Sequence, residues 1–461
     1  MTDVIVSNDL TIVEPTAAMW QWAKCNLTLD NPDYISRARM GKWVGNTSQY
    51  LYLYQQIGHK LVIPFGCIQE FHKAFSNQVR YDVQFAPKHD AKYASSINLY
   101  NYQKNVVEVA LGRKNGIIVM PCGSGKTQTA IEIVARIGGS VLWLTHTQDL
   151  LTQSKLRAES VLETDSTFGT ITSGKVNIGT GITFATVQTM CQLNLADYKN
   201  MWDVIIVDEC QHCCGSPMRV TQFYKVVNSL SARYKFGLTA TPRRADGLHE
   251  SMFALLGGIV HEVSREEVAK YTCPIQVLPV KTGYEPDYDA VLSGDGTLDY
   301  NALTTDLTEN AERFQAVLDY VNQLGSSVLV LGSRVEYLQR LNDEFNGRSV
   351  CLSGIGQSKK AKKERQEALQ KLNDGDLDAV FATYALAREG LDIPSLKYVV
   401  FSTPVKDEIT VIQSAGRVGR KAEGKTVGTV IDFVDDFHLF KRYAGKRRSC
   451  YKKIGATYID I

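Results

Sequence analysis

Short, almost unbroken apolar runs rich in β-branched residues recur along this chain, at 117–120, 141–144, 204–207, 328–331, 380–382, 399–401 and 427–433, with helical stretches between them. A strand that is apolar on both sides has no face left for water. Such runs predict strands of parallel sheets covered by helices on both faces, and therefore an α/β fold. At 461 residues the chain has length for about three compact units.

Two changes of texture suggest boundaries. Residues 1–92 carry Trp20, Trp22, Trp43 and the run Tyr50, Tyr52, Tyr54 without a strand–helix repeat, which predicts a small N-terminal α+β domain. Between Tyr284 and Glu312 there are eight acidic residues and no Lys or Arg, with the turn cluster 293–296. Residues 283–312 therefore read as a linker or surface excursion between α/β domains at 93–282 and 313–461.

The most specific local signal is a strand, a glycine-rich loop and a helix in that order. After 117–120 come Pro121, Cys122, Gly123, Ser124, Gly125, Lys126 and Thr127, then an apolar-periodic stretch from Gln128. Gly123 and Gly125 allow backbone N–H groups to curl around phosphate oxygens, Lys126 brings a point charge to the β and γ groups, and Thr127 offers a hydroxyl to Mg²⁺. The full pattern lacks its first glycine, where Met120 stands. The run 202–207 then delivers Asp208 and Glu209 at a strand end. There Asp208 can hold Mg²⁺ and Glu209 can polarise an attacking water, so ATP with Mg²⁺ is the expected substrate pair.

With Asp208-Glu209-Cys210-Gln211-His212 and Gly237-Leu238-Thr239-Ala240-Thr241-Pro242 behind the phosphate loop, the chain resembles the superfamily 2 helicases. The second half agrees in Val328–Leu341, in Ala382-Thr383 with Glu389 to Pro394, and in Gln413-Ser414-Ala415-Gly416-Arg417-Val418-Gly419-Arg420. The resemblance spans roughly 95–435 and implies two tandem RecA-like domains. It implies that Arg417 and Arg420 face the γ-phosphate from the second domain, with Arg420 as the finger and Gln413 near the attacking water. It places Gly390 and Asp392 among the nucleotide contacts and Gln103 where related helicases read adenine, although Tyr102-Gln103 opening a helix serves packing equally well. Thr239 and Thr241 would couple nucleotide state to nucleic-acid grip. The family's D-E-x-H puts histidine at 211, where this chain has Gln211; a side chain that still donates and accepts is expected to alter that coupling without ending hydrolysis.

Arg243-Arg244-Ala245-Asp246-Gly247 after the threonine motif looks like the branch holding XPB-type DNA unwinding enzymes, restriction-enzyme translocases and UvsW-type phage branch-migration helicases. Compact length and the short N-terminal domain point to the phage type, and that domain is expected to engage DNA, with Arg37, Arg39, Lys42 and Trp43 as candidates to hold the duplex. The resemblance then implies a motor on branched or forked DNA, moving 3′ to 5′, with recombination or replication proteins as possible partners. Thr145, Thr147, Gln148, Thr186, Thr383, Arg243 and Arg244 are the expected backbone contacts, sequence-independent and salt-sensitive. The segment 438–453 holds seven Lys or Arg and no acid, with Phe440, Tyr443 and Tyr451 interleaved. Lys446, Arg447 and Arg448 there suggest a DNA-contacting tail, and 359–365 is a second basic run. For Trp43 taken alone, a place in the core is the better reading.

Composition closes off other classes. Fifty-one basic against 49 acidic residues leave a formal charge of +2, so a polyanion must be met by local patches. Ten cysteines are too few for a disulfide scaffold, and Met1 to Leu10 lacks a secretory signal, so a reducing cytoplasm, of a host cell if phage-encoded, is expected. No apolar run reaches the roughly 20 residues of a membrane span. Cys210, His212, Cys213 and Cys214 suggest zinc, but there is no second pair at metal-site spacing. An RNA helicase, a restriction-type translocase or an ATP-binding clamp without turnover remain the competing readings.

Overall fold

The computed structural model describes residues 1–121, 123–244, 246–294, 296–352, 359–388 and 393–459. The chain forms two compact units: one holds 1–121 and 125–264, the other holds 265–461 together with the short loop segment 122–124.

The first unit contains an eight-stranded sheet among the described residues. Its order is Lys175–Asn177, Gly169–Thr172, Ile182–Thr186, Val141–Thr145, Val204–Asp208, Tyr234–Thr239, Asn115–Val119 and Ile259–Glu262. Only the Lys175–Asn177 edge runs antiparallel. Every residue of Asn115–Val119, Val141–Thr145, Ile182–Thr186 and Val204–Asp208 is buried, as two-sided apolar strands require. Each such Val, Ile or Leu side chain contributes about 1.5–3 kcal/mol by leaving water.

The N-terminal segment adds its own mixed sheet, in the order Gln55–Ile57, Lys60–Pro64, Asp9–Ile12, Thr2–Val6, Val79–Val83. Helices Ala17–Asn26 and Ile68–Phe75 cover it with Met19, Ala23, Phe71 and Phe75, and Trp22 meets Phe71 edge-on at 5.4 Å. That core includes Ala254 from helix His249–Leu256, so this α+β layer is packed directly on the large sheet.

The second unit carries a parallel sheet ordered Ser349–Leu352, Ala379–Thr383, Val328–Gly332, Tyr398–Phe401, Gly428–Val434, Ile275–Lys281 and Thr457–Tyr458. A first α/β domain ending at 282 would include the strand Ile275–Lys281. The strand instead belongs to the second unit, pairing along its whole length with Gly428–Val434. The acidic excursion is likewise no free linker: Tyr284, Val291, Leu303 and Leu307 form a small core with Phe437, Phe440 and Tyr443. Two buried ion pairs brace this unit, Arg313 with Asp435 at 2.7 Å and Arg447 with Asp432 at 2.7 Å.

Candidate functional site

In the first unit the sheet order brings three loops to one edge. Strand Asn115–Val119 leads into the phosphate loop, its neighbour Tyr234–Thr239 ends in the threonine motif, and the next strand, Val204–Asp208, ends in the carboxylates. Ligands of parallel α/β sheets bind at this carboxyl edge. Gly123 (φ 78°) and Gly125 (φ 79°) both take the left-handed conformation, and Gly125 caps helix Lys126–Ile137. Any side chain at Gly125 would also run into the Gln103 amide nitrogen. Gln103 thus lies against the phosphate loop, while its Oε1 accepts the Tyr100 N–H at 2.9 Å and caps helix Asn101–Leu111.

Asp208 is buried and accepts the Glu209 N–H at 3.0 Å. Burial, and after it the Glu209 charge, raise its carboxyl from 3.8 to about 7, against the pull of Lys126. A carboxylate held this unfavourably beside a second one is suited to a divalent cation, which Asp208 could hold. Glu209 sits in the left-handed region at φ 50°, uncommon for a residue with a side chain.

From Glu209 a hydrogen-bonded chain crosses to the threonine motif. Gln211 Nε2 donates to Glu209 Oε2 at 2.8 Å, and Thr239 Oγ1 donates to Gln211 Oε1 at 2.7 Å. The Thr241 N–H then donates to Thr239 Oγ1 at 3.0 Å. Gln211 therefore fills the histidine's place with both of its polar atoms engaged. Arg244 extends the chain: its Nη1 donates to Gln211 O at 3.3 Å and its other nitrogens clamp Asp246 at 3.0 and 2.7 Å. Arg244, half-buried, thus braces this chain, whereas Arg243 is exposed.

Other expected contacts divide in the same way. Thr145 is fully buried with its hydroxyl given to Thr147 O at 3.0 Å, and Thr186 is buried with its hydroxyl given to Thr189 at 3.1 Å. Both are corrected to internal roles. Thr147 caps helix Gln148–Val161 through Leu150 N, and Gln148 is half-buried at the same helix start. Trp43, read as core, is 81% exposed, and Arg37, Arg39 and Lys42 are exposed beside it.

In the second unit, Gln413 is half-buried on helix Glu408–Gly416. Arg417 is buried and its Nη2 donates to Ala387 O; Arg420, after the turn Arg417–Gly419, is half-buried. Thr383 ends its strand with its hydroxyl accepting Leu386 N at 3.4 Å. Cys122, Gly390 and Asp392 lie outside the described residues. The basic tail is helix His438–Lys453. Phe440, Tyr443 and Tyr451 are buried in it, and Arg447 is 1% exposed with Nε on Asp432 at 2.8 Å and Nη2 on Phe433 O at 3.1 Å. Arg447 is therefore structural, and the aromatics are core, not stacking platforms. Lys446 and Arg448 are exposed, Arg448 lying 4.8 Å over the Tyr458 ring.

Three arrangements had no signal in the sequence. The His146 and His212 rings meet tilted at 38° with centroids 4.6 Å apart, joining the end of Val141–Thr145 to the loop after Glu209; burial, then His212, lowers His146 to about 4. Ser140 and Asp203 both address His89 Nδ1, each at 2.9 Å, which is a structural clasp and not a proton relay. Burial drives the Cys210 and Cys213 thiols well above their ordinary range, keeping them protonated.

Two units with parallel sheets, one bearing Gly125, Lys126 and Thr127 at a helix start together with paired carboxylates and the other an arginine-bearing helix end, define a helicase-type ATPase. Comparison with known proteins agrees. Residues 96–244 match the type III restriction enzyme res subunit family and residues 312–422 the helicase conserved C-terminal domain. The chain is 28% identical over 382 residues to the DNA 3'-5' translocase XPB2 of Sulfurisphaera tokodaii, covering 75% of this chain and 84% of that protein. It is 26% identical to the putative ATP-dependent RNA helicase L396 of Acanthamoeba polyphaga mimivirus, over 73% of this chain and 64% of that one. Among solved structures, the ATP-dependent Type ISP restriction-modification enzyme LlaBIII bound to DNA shares the fold with a TM-score of 0.56 at 17% identity, covering 78% of this chain and 30% of that one. The chain belongs to superfamily 2 of the helicases and is an ATP hydrolase.

Proposed function

We propose that the protein is an ATP-dependent motor that remodels branched or forked DNA, by fork regression and Holliday-junction branch migration, moving 3′ to 5′. The observation that carries the motor reading is the unbroken hydrogen-bond chain from Glu209 through Gln211 and Thr239 to Thr241, continued by Arg244. Through it a change at the hydrolytic carboxylate is felt in the loop that exposes Arg243. DNA as the track draws on the relative named a DNA translocase and on the DNA-bound restriction enzyme of similar fold.

In this reading Gly123, Ser124, Gly125 and Lys126 hold the triphosphate, Gln103 and Pro121 border the nucleotide, and Glu209 orients the attacking water. Mg²⁺ held by Thr127 and Asp208 would neutralise charge on the β and γ phosphates. Arg420 supplies the finger from the second unit with Gln413 near the water, and Arg417, anchored on Ala387, holds that turn in place. An arginine offered from a separate unit stabilises the transferring phosphoryl group only on closure, which ties hydrolysis to movement. Thr147, Gln148, Arg243, Thr383, Lys446 and Arg448 grip the sugar-phosphate backbone, and the N-terminal layer engages the branch. Recombination or replication proteins would recruit the motor. The proposed setting is a reducing cytoplasm; all described cysteines are free, and no described helix is long and apolar enough to cross a membrane.

The test is a panel of ATP turnover and strand-exchange assays on forks, four-way junctions, blunt duplex and single-stranded RNA. Stimulation and branch migration on forks and junctions are expected; stimulation by RNA alone would overturn the DNA reading.

A further inference from the structure

Strands Thr28–Asp30 and Tyr50–Tyr52 pair antiparallel, and the residues between them rise as a knuckle. Its base is clamped by the Asn31 N–H on Gln49 O at 2.9 Å and Asn31 Nδ2 on Ser48 O at 2.7 Å. Helix Pro32–Arg39, capped by Asn31, fully buries none of its residues and half-buries only Pro32, Tyr34 and Ile35. An amphipathic surface helix normally hides one stripe, so an apolar or basic face here is available to something else. Beyond the helix, Met40 is 63% and Trp43 81% exposed, more than any other large apolar side chain of the described residues except Met1.

The indole is nevertheless placed. It lies over Gly45 (φ 49°), where a Cβ would collide with ring carbon Cζ3. Arg37, Arg39 and Lys42, within six residues of Trp43 in sequence, are exposed, and none of the three is in an ion pair among the described residues. Next to the knuckle is a concavity of about 740 Å³ whose wall includes Leu29, Pro32, Ile35, Arg39, Met40 and Gly247. Gly247 belongs to the loop that carries Arg243. The pedestal is fixed to that region: Leu51 and Leu29 pack with Cys214 and Leu248, and Asp33 meets Arg219 at 3.3 Å.

We infer that the knuckle is a stacking site for an unpaired base, with Trp43 against the base face and Arg37, Arg39 and Lys42 on the flanking phosphates. This rests on the DNA-motor reading and narrows its substrate to DNA with single-stranded character at the point of contact. Base faces are open only where pairing is broken, and an exposed, pre-seated indole has nothing to stack on in a continuous duplex. Trp, Met and Arg also make protein hot spots, but three unpaired cations within residues 37–42 complement a polyanion. Because the pedestal shares a core with Cys214 and Leu248, occupancy is transmitted to the loops that follow Glu209 and Thr241.

The experiment is a titration of the full chain with oligothymidylate, forked duplex and blunt duplex, following tryptophan emission and affinity. Trp143 and Trp202 are buried and Trp20 and Trp22 half-buried, so Trp43 is the solvent-exposed reporter. Oligothymidylate and forks should quench its emission and blunt duplex should not, with the quench absent in Trp43→Phe. Trp43→Ala should weaken fork binding about tenfold, with Trp43→Phe recovering most of it. Gly45→Ala, which keeps the indole and displaces it, should weaken binding too. Equal fork affinity of Trp43→Ala and wild type, or an emission change with a protein partner only, overturns the assignment. If forks stimulate ATP turnover while Trp43 emission stays unmoved, the stacking site alone fails; if no DNA stimulates turnover, the motor reading fails.

Discussion

Asp208→Asn should abolish ATP turnover and yet make the nucleotide-free protein harder to unfold. The wild-type carboxyl is 5% exposed, and burial with the adjacent Glu209 moves it from 3.8 to about 7. A folded-state value above the unfolded one means that the native state binds this proton more tightly. Stability is therefore lost as pH rises from about 4 to about 7 and stays lost above. A shift of about three pH units, at 1.36 kcal/mol each, corresponds to a cost on the order of 4 kcal/mol. Asparagine keeps the shape and still offers an oxygen to the Glu209 N–H, now 3.0 Å from Asp208 Oδ1, while removing the charge. Urea or thermal unfolding at pH 5, 6, 7 and 8 with chelator is the assay. The variant should match wild type near the acid end and, at pH 8, melt higher by roughly 10 °C, taking roughly 2–4 °C per kcal/mol for a unit of this size. Mg²⁺ with ATP should protect wild type alone. Equal melting at pH 8, or a difference that does not change with pH, would refute the buried-charge reasoning.

Glu209→Gln should lower turnover by about 10²- to 10⁴-fold and Lys126→Ala should abolish it, both with DNA affinity retained in gel-shift assays. Arg447→Met leaves Asp432 buried and unpaired and should cost about 3–5 kcal/mol in denaturant unfolding, with DNA affinity of the folded fraction unchanged. Lys235 is fully buried, its amine 4.9 Å over the Phe65 ring, and burial lowers it from 10.5 to about 7. For this lowered base the unfolded chain binds the proton more tightly, so wild-type stability should rise from pH 7 to 10, and Lys235→Met should lose that slope in the same unfolding assay.

Chemistry that is local in sequence is legible. The phosphate loop, Asp208-Glu209 and the arginines of 413–420 are contiguous because a strand end, a helix start or a helix end presents them together. Each apolar run also lies on a strand, from Asn115–Val119 to Gly428–Val434. Ile275–Lys281 escapes such a reading because its burial is patchy and its sheet is chosen by a long-range pairing that leaves no local mark. The basic helix misleads for a different reason. Phe440, Tyr443, Arg447, Cys450 and Tyr451 fall at helical spacing, and that apolar stripe lies beneath the charges. Trp43 departs the opposite way, since average burial speaks for core while Gly41 and Gly45, both at positive φ, mark an exposed turn. Thr145 and Thr186 show that a hydroxyl at a strand end can face inward to its own loop.

Phosphate release by the full chain, with ATP, Mg²⁺ and forked DNA, tests the two-sided grip on the triphosphate most directly when wild type is compared with Arg420→Ala. Wild type should turn over faster on adding forks, and the variant should bind a fluorescent ATP analogue normally while releasing phosphate about 10³-fold more slowly. An Arg420→Ala protein that hydrolyses ATP at the wild-type, DNA-stimulated rate would contradict it.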